Sequence, residues 1–197
     1  MLRGPQAGAF GANAAGGVVR VVTNEPTPYW SGQIESTIGT DSLFATGLAV
    51  GGPVLESDPE ALTFRLSIHQ HLQDGFRDNQ FLNRDDTNQR DELSSQLKVR
   101  WVANPDWQWD LGLLYADADN GYDEFSLDNT DFDTASDEPG EDDQETYAGS
   151  LRGTWTGLDS VDVTLISAYT TTDSLYSYDA DWTDAADPRS YDGFLST

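Results

Sequence analysis

The sequence contains no cysteine. That excludes a disulfide framework, thiolate metal sites and thiol nucleophiles. Basic residues are scarce: ten Lys and Arg stand against 35 Asp and Glu, for a formal charge of −25. Phosphate recognition needs basic patches, so nucleic acid is not an expected partner, and neither is adhesion to an anionic lipid surface. Long apolar runs are missing too, and no stretch approaches the ~20 residues that a membrane helix needs. The first residues lack the charged start, apolar centre and small-residue cleavage site of an export signal. Phosphate-binding and dinucleotide fingerprints are absent, as is a Gly-x-Ser-x-Gly elbow. Carboxylates are so numerous that spacing singles out no acid–base pair. No catalysis, catalytic residue or cofactor is expected.

What is present begins with a Gly- and Ala-rich opening, Met1 to Pro26, that condenses into Gly16-Gly17-Val18-Val19-Arg20-Val21-Val22-Thr23. Gly-Pro and Gly-Gly punctuate backbone that turns tightly or lets another chain approach. The β-branched run after them predicts a short strand, closed off at Glu25-Pro26-Thr27-Pro28. A glycine loop feeding one strand is not a whole domain.

From Tyr29 to about Tyr178 the pattern changes to period two. Trp30, Gly32, Ile34, Ser36 and Ile38 alternate with Ser31, Gln33, Glu35 and Thr37, and the same rhythm recurs through Phe44–Val50, Leu62–His69, Leu93–Trp101, Trp107–Tyr115, Tyr147–Trp155 and Val161–Tyr169. Such alternation predicts strands whose two faces meet different solvents. Tight turns are expected at Asn104–Asp106 and Gly157–Ser160, and long polar connections at Asp74–Asp91 and Asp117–Glu145. Between Arg100 and Arg152 there is no Lys or Arg, so one acidic segment dominates the charge balance. Short turns alternating with long loops are the habit of outer-membrane barrels. Trp101, Trp107, Trp109 and Trp155 gather beside the tight turns on the apolar side, where an indole suits a membrane–water interface. Arg65, Lys98, Arg100, Asp110 and Arg152 fall on the opposite side, too many charges for a sandwich core. Periodicity alone leaves a barrel and an acidic, calcium-binding β-sandwich both open.

The opening stretch adds a resemblance. Leu2-Arg3-Gly4-Pro5-Gln6, Phe10-Gly11, Asn13-Ala14, Gly16-Gly17-Val18-Val19 and Val22-Thr23 resemble, in order and spacing, the end of the plug domain of TonB-dependent outer-membrane receptors. The resemblance implies an all-β chain: residues 1–27 as the last segment of a plug, and 28–197 as the first part, about seven strands, of a large antiparallel transmembrane β-barrel. It implies Arg3, Gly4, Pro5, Gly11, Asn13, Gly16 and Gly17 as plug-motif positions, and the Gram-negative outer membrane as location. Expected partners are outer-membrane lipid, TonB through a segment this chain lacks, and a small-molecule ligand such as a ferric siderophore. Met1 falls inside the motif, so the chain reads as an internal piece that would not transport alone. A complete small barrel of eight strands is the other alternative.

Candidate sites are few. His69 and His71 share a face two residues apart, close enough to meet one metal but with no third ligand fixed by sequence. The run Asp117 to Glu124 invites a calcium reading but lacks the spacing of a calcium loop. No metal site is expected. Sign complementarity suggests that Arg3 and Arg20 of the plug piece meet an acid of the wall such as Glu35.

Overall fold

In the computed structural model the alternation from Trp30 onward becomes one sheet. The structure describes residues 2–3, 17–18, 21–127 and 131–184. Its strands are β1 (Leu2–Arg3), β2 (Gly17–Val18), β3 (Ser31–Ile38), β4 (Phe44–Pro53), β5 (Leu62–Gln73), β6 (Asp78–Asn79), β7 (Arg90–Asn104), β8 (Trp107–Tyr122), β9 (Asp133–Thr134), β10 (Gly140–Leu158) and β11 (Val161–Tyr176). Among the described residues there is no helix. Seven strands form a meander in the order β11-β10-β8-β7-β5-β4-β3, antiparallel throughout. This is the all-β architecture, with the number of wall strands, that the periodicity predicts. β1 and β2 pair antiparallel with each other, and β6 and β9 form a short parallel pair within the long connections.

Register carries one set of side chains across the whole sheet. Trp155 lies opposite Trp107, Leu151 opposite Leu111 and Tyr147 opposite Tyr115. The row continues from Leu113 to Leu97 and on to Leu66, Val50 and Gly32. Every residue of the predicted apolar set therefore lies on one face, because a strand has period two and the pairing never slips between rows. Among the described residues the only register shifts, between Val102 and Asn104 and between Trp155 and Leu158, sit at the tight turns, where a bulge bends the strand without disturbing the sheet.

The sheet has almost no core in the globular sense. Apart from Pro26 and several glycines, Ala45 is the single buried apolar residue among those described, while Ile34, Ile38 and Tyr169 are 78%, 81% and 71% exposed. No second layer covers the apolar face among the described residues, as a sandwich would require. The fully buried side chains are instead polar: Asn79, Thr134 and Ser136, all in the long connections.

One expectation needs correcting. The segment Asp117–Glu145 is not all loop, for β8 continues through Tyr122 and β10 begins at Gly140, with Asp117 opposite Glu145 and Gly121 opposite Glu141. The ladder persists although both faces are hydrophilic, and a strand wetted on both sides leaves no alternation of hydrophobicity to read. Asp117 and Asp119, the first acids of the run that invites a calcium reading, accordingly project from one face of a strand and do not lie in a loop. β7 likewise starts at Arg90, inside the stretch expected to be loop.

Candidate functional site

The polar face carries the charge. Arg65 on β5 lies opposite Lys98 on β7; one row nearer the tight turns, Arg100 on β7 lies opposite Asp110 on β8, and Asp110 opposite Arg152 on β10. Onto this patch falls Glu25, from the segment that precedes β3. Lys98 Nζ donates to Glu25 Oε1 at 2.7 Å, and Arg100 Nη2 donates to Glu25 Oε2 at 3.1 Å. Arg100 Nε donates to Asp110 Oδ1 at 2.6 Å, and Lys98 also reaches the carbonyl of Thr23 at 3.2 Å. The carboxylate of Glu25 is thus bridged by two cations through charge-assisted hydrogen bonds. A tie of opposite polarity was expected, with cations on the N-terminal piece and an acid on the wall. Arg20 and the side chain of Arg3 lie outside the described residues, so the pairing with Glu35 is not described.

His69 and His71 both lie on the polar face, opposite Ser94 and Glu92 of β7. The described residues hold no group of three or more His, Cys, Asp or Glu placed to bind a metal ion. Of the plug-motif positions, Arg3 and Gly17 are register partners in the β1–β2 pair, while Gly4, Pro5, Gly11, Asn13 and Gly16 lie outside the described residues.

At the opposite end from the tight turns, the two long connections meet. Asp123 Oδ2 accepts hydrogen bonds from Asn79 Nδ2 at 2.8 Å, Thr87 Oγ1 at 2.8 Å and Thr134 Oγ1 at 2.7 Å. Asn79 Nδ2 also donates to the carbonyl of Ser136 at 2.9 Å, and the backbone of Gln80 donates to that of Thr134. One carboxylate, 4% exposed, gathers three segments into a cap. Beside it an aromatic group runs from Tyr122 to Phe125 and Tyr176, with Phe125 stacked on Trp182 at 5.1 Å and Tyr176 near Tyr178 at 5.8 Å. Burial, then the hydrogen bond with Tyr122, pushes the Tyr176 phenol up to about 12. Sequence reasoning missed both Glu25 and Asp123. Neither differs locally from the other 33 acids, and only partners 73 and 44 residues away distinguish them.

The apolar face divides into zones. Trp107 stacks on Trp109 at 5.4 Å and meets Trp155 at 6.4 Å, with Trp101 opposite Trp109 across the β7–β8 pair. From this indole row to the rings of Tyr115 and Tyr147, 5.0 Å apart, the face bears no charge. The nine positions from Trp107 to Tyr115 match the ~9–11 residues of a membrane-crossing strand. Immediately beyond the tyrosines come Asp117, Asp119, Asp143, Glu145 and Asp173, all on this face. There, partial burial and the neighbouring Asp119 and Glu141 raise the Asp143 carboxyl above its ordinary range.

No protein-family model matches the chain. It is 26% identical over 113 residues to the pesticin receptors of Yersinia enterocolitica and Yersinia pestis, an alignment covering 57% of this chain and 16% of theirs. Its fold is similar to that of the ferric yersiniabactin uptake receptor FyuA of Yersinia pestis, with a TM-score of 0.75 at 20% identity over 89% of this chain and 28% of that one. It is also similar to a chain of the FpvAI–pyocin S2 complex, with a TM-score of 0.72 at 15% identity over 98% of this chain and 26% of that one. These neighbours are TonB-dependent receptors, the family that the opening motif resembles. The chain spans about a sixth of the length of the curated relatives it matches.

Proposed function

We propose that this chain belongs to a TonB-dependent outer-membrane receptor, with residues 1–27 as the end of its plug and 28–197 as the first part of its barrel wall. In this reading the apolar face meets lipid, the polar face lines the lumen, the tight turns face the periplasm and the cap faces outward. The receptor takes up a scarce solute such as a ferric siderophore, with TonB supplying the energy that displaces the plug. The positions Arg3, Gly4, Pro5, Gly11, Asn13, Gly16 and Gly17 form the motif by which the plug ends and hands over to the wall.

One observation carries the proposal. A charge-free band, bounded by indoles on one side and phenols on the other, lies back to back with a face bearing Arg65, Lys98, Arg100, Asp110 and Arg152. A water-filled lumen behind a lipid-facing wall accommodates both at once, whereas a soluble protein would leave the band uncovered. Reconstitution into vesicles of brominated phospholipid tests it. The indoles of Trp101, Trp107, Trp109 and Trp155 should be quenched, and fluorescence equal to that in unbrominated vesicles would refute the lipid-facing assignment. The transport role is tested separately: deleting the gene should abolish growth on the ferric solute as sole iron source, and unimpaired growth on every ferric complex tried would remove iron uptake from the reading.

A further inference from the structure

The chain has ten basic residues in all, yet four of them occupy two neighbouring register rows on three strands of one face: Arg65 and Lys98 in one row, Arg100 and Arg152 in the next. Two carboxylates face them. Asp110 is fixed in the wall beside Arg100, with 23% of its side chain exposed. Glu25 is the other and differs in kind: it comes from the segment preceding β3, and 52% of its side chain stays exposed. Among the described residues Arg65 and Arg152 have no carboxylate partner. Two hollows of about 280 and 270 Å³ adjoin the pair, one bordered by Arg65 and Lys98, the other by Lys98, Arg100 and Arg152. Gly112 and Ser150 also line the second hollow.

We infer that Arg65, Lys98, Arg100 and Arg152 form a carboxylate-binding site on the polar face, that Glu25 fills it in this structure, and that a solute carboxylate can exchange with Glu25 and so free residues 21–27 from the wall. The inference rests on the polar face being the lumen along which a solute travels.

The geometry supports exchange over a permanent tie. Glu25 uses one oxygen on each cation, so any carboxylate reproduces its contacts. Its exposure leaves it open to solvent competition, and an ion pair in that setting holds weakly. The two cations beside it give a solute with more than one carboxylate additional partners that Glu25, with one, does not engage. Elsewhere the chain is strongly acidic, so an anion finds few competing positions on this face. Entry of an anionic cargo would thereby loosen the segment that joins the plug to the wall.

This chain has no cysteine, so Asn24→Cys creates one labelling position within it for a nitroxide, any cysteine elsewhere in the whole protein being replaced by serine. In the whole protein reconstituted in lipid vesicles, citrate should mobilise the label at a concentration at least five-fold below that of chloride at matched ionic strength. Glu25→Gln should leave the label mobile without citrate and bind citrate at least five-fold more tightly than the parent by calorimetry. The double variant Lys98→Gln and Arg100→Gln should also be mobile but indifferent to citrate. Citrate acting no better than chloride, or Glu25→Gln gaining no affinity, overturns the inference. Lipid quenching of the wall tryptophans, read in the same vesicles, separates the two proposals. Quenched indoles with a citrate-insensitive label sink only the exchange site, and unquenched indoles sink the lumen on which it depends.

Discussion

Along β8 a single backbone ladder passes through two chemical regimes. From Trp107 to Tyr115 its apolar side chains are left uncovered, Leu113 being 44% exposed. Beyond them the same face bears Asp117 and Asp119, and just past the strand's end Asp123 is buried with Asn79, Thr87 and Thr134 about it. Band and cap thus invert the usual rule that apolar groups go inside and ionised groups outside. Each inversion identifies a solvent. On the proposed reading the band has no protein partner because hydrocarbon supplies one. The cap holds its loops in water with no apolar core, so a satisfied carboxylate serves as the hub.

The largest expected effect breaks the band. Leu111→Arg places a cation on the charge-free face and should cost about 2–4 kcal/mol of folding into a bilayer, as lipid-facing Arg does near a membrane midplane. Gln96→Arg, on the polar face, should change stability by less than about 1 kcal/mol. Equal losses from the two, in reversible unfolding from vesicles, would show that the faces do not differ in solvent. Next comes the cap. Asp123→Ala strands the hydroxyls of Thr87 and Thr134 without their acceptor. At ~1–3 kcal/mol for a buried donor left unpaired, local opening should become easier by about 2–3 kcal/mol. Hydrogen exchange should speed up at Asn79, Gln80 and Thr134 and not at Leu111 or Leu151. Acceleration spread evenly over both groups would mean that cap and wall unfold as one unit.

The sequence makes the band legible and the cap obscure, for a physical reason. Period-two alternation requires two faces in different solvents, and from Trp30 to Tyr169 that condition holds, so faces, strand number and tryptophan row follow directly. Above the tyrosines both faces are wet. The alternation vanishes while the ladder continues, which is why the ends of β8 and β10 read as loop. Asp123 lies in an acidic run where every carboxylate looks alike, and only the docking of β6 on β9 selects it. Glu25 is obscured in the same way. The sign argument named Arg3 and Arg20 against Glu35, a pairing outside the described residues, and could not point to Glu25, whose partners Lys98 and Arg100 are brought together only by the sheet register.

Two glycines sharpen the comparison further. A Cβ at Gly121, in the upper part of β8, would collide with the backbone carbonyl of Thr87, and the amide of Gly121 donates to Gln89 at 3.0 Å. The cap loop is therefore packed directly on the strand. A Cβ at Gly149, within the band, would meet only Leu113 Cδ2 at 3.5 Å, an ordinary contact. Gly121→Ala should cost about 1–2 kcal/mol, since backbone has to move. Gly149→Ala should be neutral within about 0.5 kcal/mol. Similar thermal shifts for both would deny that the loop rests on the strand.

The smallest effect is electrostatic. Arg84 Nε donates to Asp86 Oδ1 at 2.7 Å, and the backbone of Arg84 exchanges hydrogen bonds with that of the buried Asn79. That hydrogen bond, more than the charge attraction, holds the Asp86 carboxyl below its ordinary value of 3.8 and raises the Arg84 guanidinium. A carboxylate depressed in the folded state contributes stability above its unfolded pKa and loses it as pH falls through the folded value. The pair should therefore support the cap at neutral pH, and its support should fade as the pH drops below 3.8. Both side chains are largely exposed, and solvent screens such a pair, so protection at Asn79 should fall by roughly two-fold. The informative quantity is the difference between the parent and Asp86→Asn, which cancels every other titrating carboxylate. If that difference is flat from pH 6 to 3, the surface pair contributes nothing and the buried Asp123 hub alone holds the cap. A difference well above two-fold would assign the cap to its surface charges and undo the contrast between a polar interior above and an apolar exterior below.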